Sequence, residues 1–152
     1  MMKPRIYIDT SVIGGCLDEE FEKESIRFFD MVEKNLIKIL ISPIFIDELE
    51  GAPQKVKEIL SKTARDRIEY LELTDEAIEL RNLYIKNGIL SEKWIDDATH
   101  VALATVYRAD AIVSWNFRHI VRLDKIKMFN QVNILNGYGI LTIISPKEVY
   151  YE

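Results

Sequence analysis

Trp94-Ile95-Asp96-Asp97-Ala98-Thr99-His100-Val101-Ala102-Leu103-Ala104, followed closely by Ala111-Ile112-Val113, is the stretch that decides how this chain folds. Two adjacent aspartates open a run of small and apolar residues, and a short apolar strand comes after it. A helix start tolerates negative charge because its free N–H groups and dipole favour it. At about 100° per residue, Trp94, Ala98, Val101, Ala102, Thr105 and Ala109 share one apolar stripe. Asp97 lies at the edge of that stripe, between Trp94 and Val101, and is the aspartate placed to point into a cleft. Asp96 falls nearly opposite, toward solvent. The pattern predicts a helix over 91–107 feeding a strand over 111–113.

The same alternation extends outward in both directions. Ile6-Tyr7-Ile8 is a β-prone run ending in the capping residues Asp9-Thr10-Ser11. Helical spacing follows over 22–34, then a strand over 37–41 stopped by Ser42-Pro43, a good N-cap and first-turn pair. That helix runs through Ile44, Phe45, Glu48 and Leu49 to the break at Gly51-Ala52-Pro53. Further helices are predicted over 54–64, from Thr74-Asp75-Glu76 to Asn87-Gly88, and over 124–136. Strands are predicted over 68–73 and 140–144. Strands separated by helices imply an α/β layer structure with a mostly parallel central sheet. No linker, repeat or low-complexity segment interrupts it, so residues 1–152 read as one domain.

The net charge of −5 argues against a surface coated for indiscriminate nucleic-acid binding. It leaves room for a nucleic-acid enzyme, because metal-binding carboxylates keep a site acidic until cations fill it. Cys16 is the only cysteine, which excludes an internal disulfide and fits a reducing cytosol. No signal peptide is visible, and the most apolar run, 36–46, is broken by Lys38 and Pro43, far short of the ~20 residues a membrane span needs. The reading is a cytoplasmic protein without a membrane partner.

Ligands of open parallel α/β sheets gather beyond the carboxyl ends of the strands. Asp9 follows the first strand; Ser114 and Asn116 follow Ala111-Ile112-Val113; Asp97 opens the helix before it, and Glu48 can lean toward the same edge. Carboxylates gathered this closely repel unless cations or protons offset them. All-oxygen donors suit Mg²⁺ or Mn²⁺, and the lack of His and Cys clusters argues against zinc. Each residue has a plainer reading: Asp9 as a helix cap, Glu48 as surface beside Asp47 and Glu50, Asn116 as a turn residue, His100 and His119 as hydrogen-bonded side chains outside the core of the site.

Assembled in order, Ile6-Tyr7-Ile8-Asp9-Thr10-Ser11-Val12-Ile13, Ser42-Pro43-Ile44-Phe45-Ile46-Asp47-Glu48-Leu49, Asp96 to Ala104 and Val113-Ser114-Trp115-Asn116-Phe117 make the sequence similar to the PIN-domain family, in particular the VapC-type toxins of toxin–antitoxin pairs. The resemblance implies a three-layer α/β/α fold and a Mg²⁺- or Mn²⁺-dependent endoribonuclease. By position, Asp9, Glu48 and Asp97 match the family's acidic metal ligands. Asn116 stands where members have Asp or Asn, and Ser114 where they have Thr or Ser; both are expected to orient water. With Asn116 in place of a fourth carboxylate, one firmly held ion, with a second arriving alongside the RNA phosphate, is the expectation. The resemblance also implies an RNA substrate, a small antitoxin partner and a homodimer, for which the apolar residues around 26–32 or 59–60 are interface candidates. It says little about the segment between Gly51 and Leu90.

Arg118, Arg122, Lys125 and Lys127 follow Asn116 with one intervening acid, Asp124, and read either as a grip on RNA phosphates or as a solvated helix face. Trp115 and Phe117 read either as base-stacking or as core residues. A phosphoaspartate phosphatase would want Asp where Ser11 stands, a receiver domain a late Lys where Asn116 stands, and no Gly-rich phosphate loop is present. The rival from another class is a PIN-like module that has lost catalysis and binds RNA or protein.

Overall fold

The computed structural model describes residues 3–151. Five strands, β1 (Arg5–Ile8), β2 (Lys38–Ile41), β3 (Ile68–Tyr70), β4 (Ala111–Val113) and β5 (Ile143–Ile144), form one sheet in the order β3-β2-β1-β4-β5. Every pairing is parallel. The chain winds outward from β1 through β2 to β3, then crosses back to place β4 on the other side of β1. The crevice between β1 and β4 is therefore the topological switch point, where ligands of such sheets bind.

Strand side chains alternate between faces, and this sorts the core into two layers. Ile6, Ile8, Ile39, Ile41, Ala111 and Val113 point to one face and pack with Val12, Ile13, Phe28, Val32, Phe45 and Val56. These come from α1 (Thr10–Gly15), α2 (Glu22–Glu33), α3 (Pro43–Glu50) and α4 (Gln54–Lys62). Tyr7, Leu40, Ile112 and Ile143 point to the other face, against Leu80, Tyr84, Val101, Ala102, Phe129 and Val132. That layer is α5 (Asp75–Lys86), α6 (Ile95–Val106) and α7 (Leu123–Leu135). The expected three-layer α/β/α architecture with a parallel sheet is the observed one.

Local chemistry sets the helix starts. Ser42 accepts a hydrogen bond from the Phe45 amide at 3.2 Å with Pro43 in the first turn, and Thr74 accepts one from Ala77 at 3.2 Å. Such caps stabilise by about 1 kcal/mol each. The helix around Asp97 begins later than predicted: Glu92–Trp94 is a 3-10 turn and α6 starts at Ile95 without a side-chain cap. Its burial is also wider than one stripe, since Thr99, His100, Leu103 and Ala104 are buried along with Ala98, Val101 and Ala102. Small side chains let α6 lie between the sheet and its neighbours.

Two further differences have physical causes. The last strand is only two residues long, not five, because Leu141 gives both its backbone groups to the side chain of Asn130 on α7, at 2.7 and 3.1 Å, and so leaves the ladder. The short helix α1 has no counterpart in the sequence reading; its two glycines weaken the signal, and Asp9 capping it makes it possible. Among the described residues no helix is long and apolar enough to cross a membrane.

Candidate active site

Asp9 ends β1 and sits at the switch point. It is 5% exposed. Its backbone is extended (φ −93°, ψ 177°), and its Oδ1 accepts hydrogen bonds from the Ser11 amide and hydroxyl at 3.2 and 2.5 Å. Its Oδ2 accepts from the Ser114 hydroxyl at 2.6 Å. Asp9 is thus both the cap of α1 and a cavity residue; the two readings are not exclusive. Burial raises its pKa above the usual aspartate value, against the lowering effect of His100, Ser11 and Ser114.

Asp9, Glu48, Asp97 and Asn116 line one cavity of about 470 Å³, with Thr10, Ser11 and Gly14 from α1 and the rings of Phe21 and Trp115. Each of the other two carboxylates is gripped by a histidine. Glu48, 34% exposed at its side chain, accepts from His100 Nε2 at 2.5 Å. Asp97 pairs with His119 Nδ1 at 2.9 Å, and the His119 ring lies against Trp94 with centroids 4.2 Å apart. Burial lowers the proton affinity of His100, but the Glu48 bond and the charge of Asp9 outweigh it, and the net shift is upward. Asp96 is exposed, as the helical geometry required.

Asn116 and Ser114 both have partners within the protein. The Asn116 Oδ1 accepts the amides of Arg118 and His119 at 3.2 and 2.9 Å, so its oxygen shapes the turn that delivers His119, while the residue still lines the cavity. Ser114 is fully buried; its oxygen donates to Asp9 and accepts from the Asn116 amide at 2.9 Å. It acts through Asp9. The plain sequence reading of His100 and His119 as hydrogen-bonded side chains is correct in kind, yet both belong to the site as carboxylate holders. The one signal was spacing: His100 lies three residues after Asp97 on the same helix.

The basic run divides. Arg122 is matched by Asp124 at 2.6 and 2.7 Å, and Lys125 donates to the Ile89 carbonyl at 2.5 Å. Arg118 lies over the Trp94 ring at 5.7 Å, beside the site, and Lys127 is exposed. Trp115 is a core residue, stacked on Phe21 at 4.2 Å and donating to Ser25 at 2.8 Å, whereas Phe117 is 45% exposed. Away from the carboxylates, a groove of about 760 Å³ separates α2 from α4, walled by Leu17, Ile26, Phe29 and Ile59; residues from both candidate interface stretches face it.

Among the described residues no three His, Cys, Asp or Glu side chains are grouped tightly enough to enclose an ion by themselves. The donor set still fits Mg²⁺ or Mn²⁺. Such ions keep several waters and bind through one or two carboxylates plus substrate phosphate, and Asp9 is a buried carboxylate whose hydrogen-bond partners are hydroxyls and an amide only.

A family model described as PIN domain matches residues 5–118, which contain all three carboxylates together with Ser114 and Asn116. The chain belongs to the PIN-domain family. Solved structures similar to this PIN domain include VapBC2 from Rickettsia felis bound to a fragment of its promoter DNA, at 15% identity over 93% of this chain and 98% of that one, TM-score 0.59. FitAcB from Neisseria gonorrhoeae is similar at 15% identity, 95% and 99% coverage and TM-score 0.59. VapC20 of Mycobacterium tuberculosis, a toxin that cleaves the sarcin–ricin loop, matches at 13% identity, 75% and 92% coverage and TM-score 0.57. At these identities the likeness is one of fold. Among curated protein sequences none matches this PIN domain.

Proposed function

We propose that this PIN domain, acting as one unit over residues 1–152, is a Mg²⁺- or Mn²⁺-dependent endoribonuclease of the cytoplasm and the toxin of a toxin–antitoxin pair. The observation that carries the reading is the convergence of Asp9, Glu48 and Asp97, from three separate elements, on one cavity at the switch point of the sheet. The solved relatives named as toxin–antitoxin complexes support an antitoxin partner, and the one named as a cleaving toxin supports RNA as substrate. A homodimer is part of the same proposal.

Asp9, Glu48 and Asp97, directly or through the ion's own waters, would hold the ion, which when bound lowers the pKa of water and offsets charge on a phosphoryl oxygen. The protein's own part is positioning. Ser11 and Ser114 lock both oxygens of Asp9. His100 and His119 fix the rotamers of Glu48 and Asp97. Asn116 holds the turn that carries His119, and Arg118 at the cavity's flank offers positive charge to the RNA backbone.

Purified protein incubated with structured and single-stranded RNAs should cleave only with Mg²⁺ or Mn²⁺, stop with EDTA, and lose activity by orders of magnitude in Asp97→Asn. Equal cleavage by wild type and Asp97→Asn would overturn the assignment.

A further inference from the structure

Behind Glu48 lies a line of buried polar groups of which the proposed chemistry has used only His100. Tyr7 is fully buried in β1, and its hydroxyl meets Ser42 Oγ at 2.7 Å and His100 Nδ1 at 2.6 Å. The Tyr7 and His100 rings also meet edge-on, with centroids 5.6 Å apart. His100, 1% exposed, presents its other nitrogen to Glu48. Ser42 in turn accepts the Phe45 amide. The line begins at the first turn of α3, passes through β1 and α6, and returns to Glu48 on α3.

Counting donors gives the line a direction. The Phe45 amide can only donate and an ionised Glu48 can only accept, so the two ends are fixed. With a neutral imidazole, three hydrogens remain to be placed between them. If Ser42 donates to Tyr7, Tyr7 to His100 Nδ1, and His100 Nε2–H to Glu48, every group in the line is satisfied once. Reversing the middle puts a hydrogen on Nδ1 and leaves the Ser42 hydroxyl without an acceptor among the described residues, an unfavourable state for a group 2% exposed.

We propose that His100 is the positioning residue of Glu48, and that Tyr7 and Ser42 set its tautomer so that Nε2–H always faces the carboxylate. The inference rests on the reading of Glu48 as a cavity ligand. A swinging glutamate on an exposed helix face would lose rotamer freedom on binding each ion or substrate; one held by a preset imidazole does not. Tyr7 and Ser42, neither of which lines the cavity, thereby become determinants of activity. The two histidines differ in this respect, since His119 is held by ring packing on Trp94.

The test compares Tyr7→Phe with Tyr84→Phe. Tyr84 is an equally buried tyrosine of the same core layer whose hydroxyl bonds Asn133, away from the cavity. In metal-free protein, at a pH high enough to leave the imidazole neutral, nitrogen-15 imidazole spectra should show His100 as a single Nε2–H tautomer in wild type and Tyr84→Phe, and as a mixture in Tyr7→Phe. Mn²⁺ binding by calorimetry, scaled to folded protein, should weaken about 10- to 100-fold in Tyr7→Phe alone, the usual effect of losing such a support. His100→Gln, which keeps an N–H donor, should bind Mn²⁺ more tightly than His100→Ala. An unchanged His100 spectrum in Tyr7→Phe, or an Nδ1–H tautomer of the neutral ring in wild type, overturns the proposal. A protein that cleaves no RNA would sink the nuclease reading while the spectra still decide this one.

Discussion

Ser114 donates to Asp9 across 105 residues of sequence and 2.6 Å of space, and this bond joins the carboxyl ends of β4 and β1 at the switch point of the sheet. The crevice that defines the site and the hydrogen bond that orients its most buried carboxylate are the same place. Asp9 is consequently well held but poorly solvated.

Stability should therefore rise when that charge is removed. Burial lifts the folded-state pKa of Asp9 above its unfolded value. A group shifted in this direction contributes stability that is full below the unfolded pKa and is lost as pH rises through the folded one. Asp9→Asn is expected to lose activity yet to melt a few degrees above wild type at about pH 7.5 in EDTA, with the gap closing toward about pH 4, near the unfolded aspartate value. Excess Mg²⁺ should narrow the gap at neutral pH by stabilising wild type only. Melting curves at both pH values check this; a wild type that is the more stable protein in EDTA at neutral pH would contradict it.

Asn116 separates a structural from a chemical requirement at one position. Asn116→Ala removes the acceptor for the Arg118 and His119 amides and should cost about 1 kcal/mol, the scale of a missing helix cap, along with most of the activity. Asn116→Asp keeps an acceptor for both amides and adds a carboxylate to the cavity wall. Chemical denaturation should place it close to wild type, and calorimetry should show tighter Mn²⁺ binding.

Arg118 and Arg122 should be unequal in RNA binding. The guanidinium of Arg122 is already matched by Asp124, while Arg118 sits over Trp94 beside the cavity. Arg118→Ala should weaken binding of single-stranded RNA and lower the salt slope by about 0.7 for each phosphate that Arg118 neutralises. Arg122→Ala should change either value little. Fluorescence anisotropy across a salt series, using Asp97→Asn to prevent cleavage, measures both.

Gly15 is a packing requirement of the site's wall. A Cβ there would clash with Ser25 Oγ and stand 2.8 Å from Trp115 Nε1, two atoms hydrogen-bonded to one another. Gly15→Ala should destabilise by roughly 1–3 kcal/mol, the usual range for overpacking, whereas Gly14→Ala, whose Cβ meets nothing within 4 Å, should not. Urea denaturation of the two variants distinguishes them.

Periodicity and capping chemistry were enough to read the alternation of strands and helices, because those signals are local. Ser42-Pro43 and Thr74-Asp75 start their helices as their residue types demand, and helical geometry alone separated half-buried Asp97 from exposed Asp96. The ends of elements were less legible where distant partners compete: Asn130 takes the backbone of Leu141 out of the last strand, and nothing near residue 141 announces it.

The sequence by itself determined the α/β layering and nominated Asp9, Glu48 and Asp97, since strand ends and helix starts are written in short patterns. Only the tertiary structure decided how those carboxylates are held. His100 lies 52 residues from Glu48 and His119 lies 22 from Asp97, and Ser114 turned out to serve Asp9. Hydrogen bonds of this kind depend on which strands the topology makes neighbours, and strand order is a product of packing the whole chain.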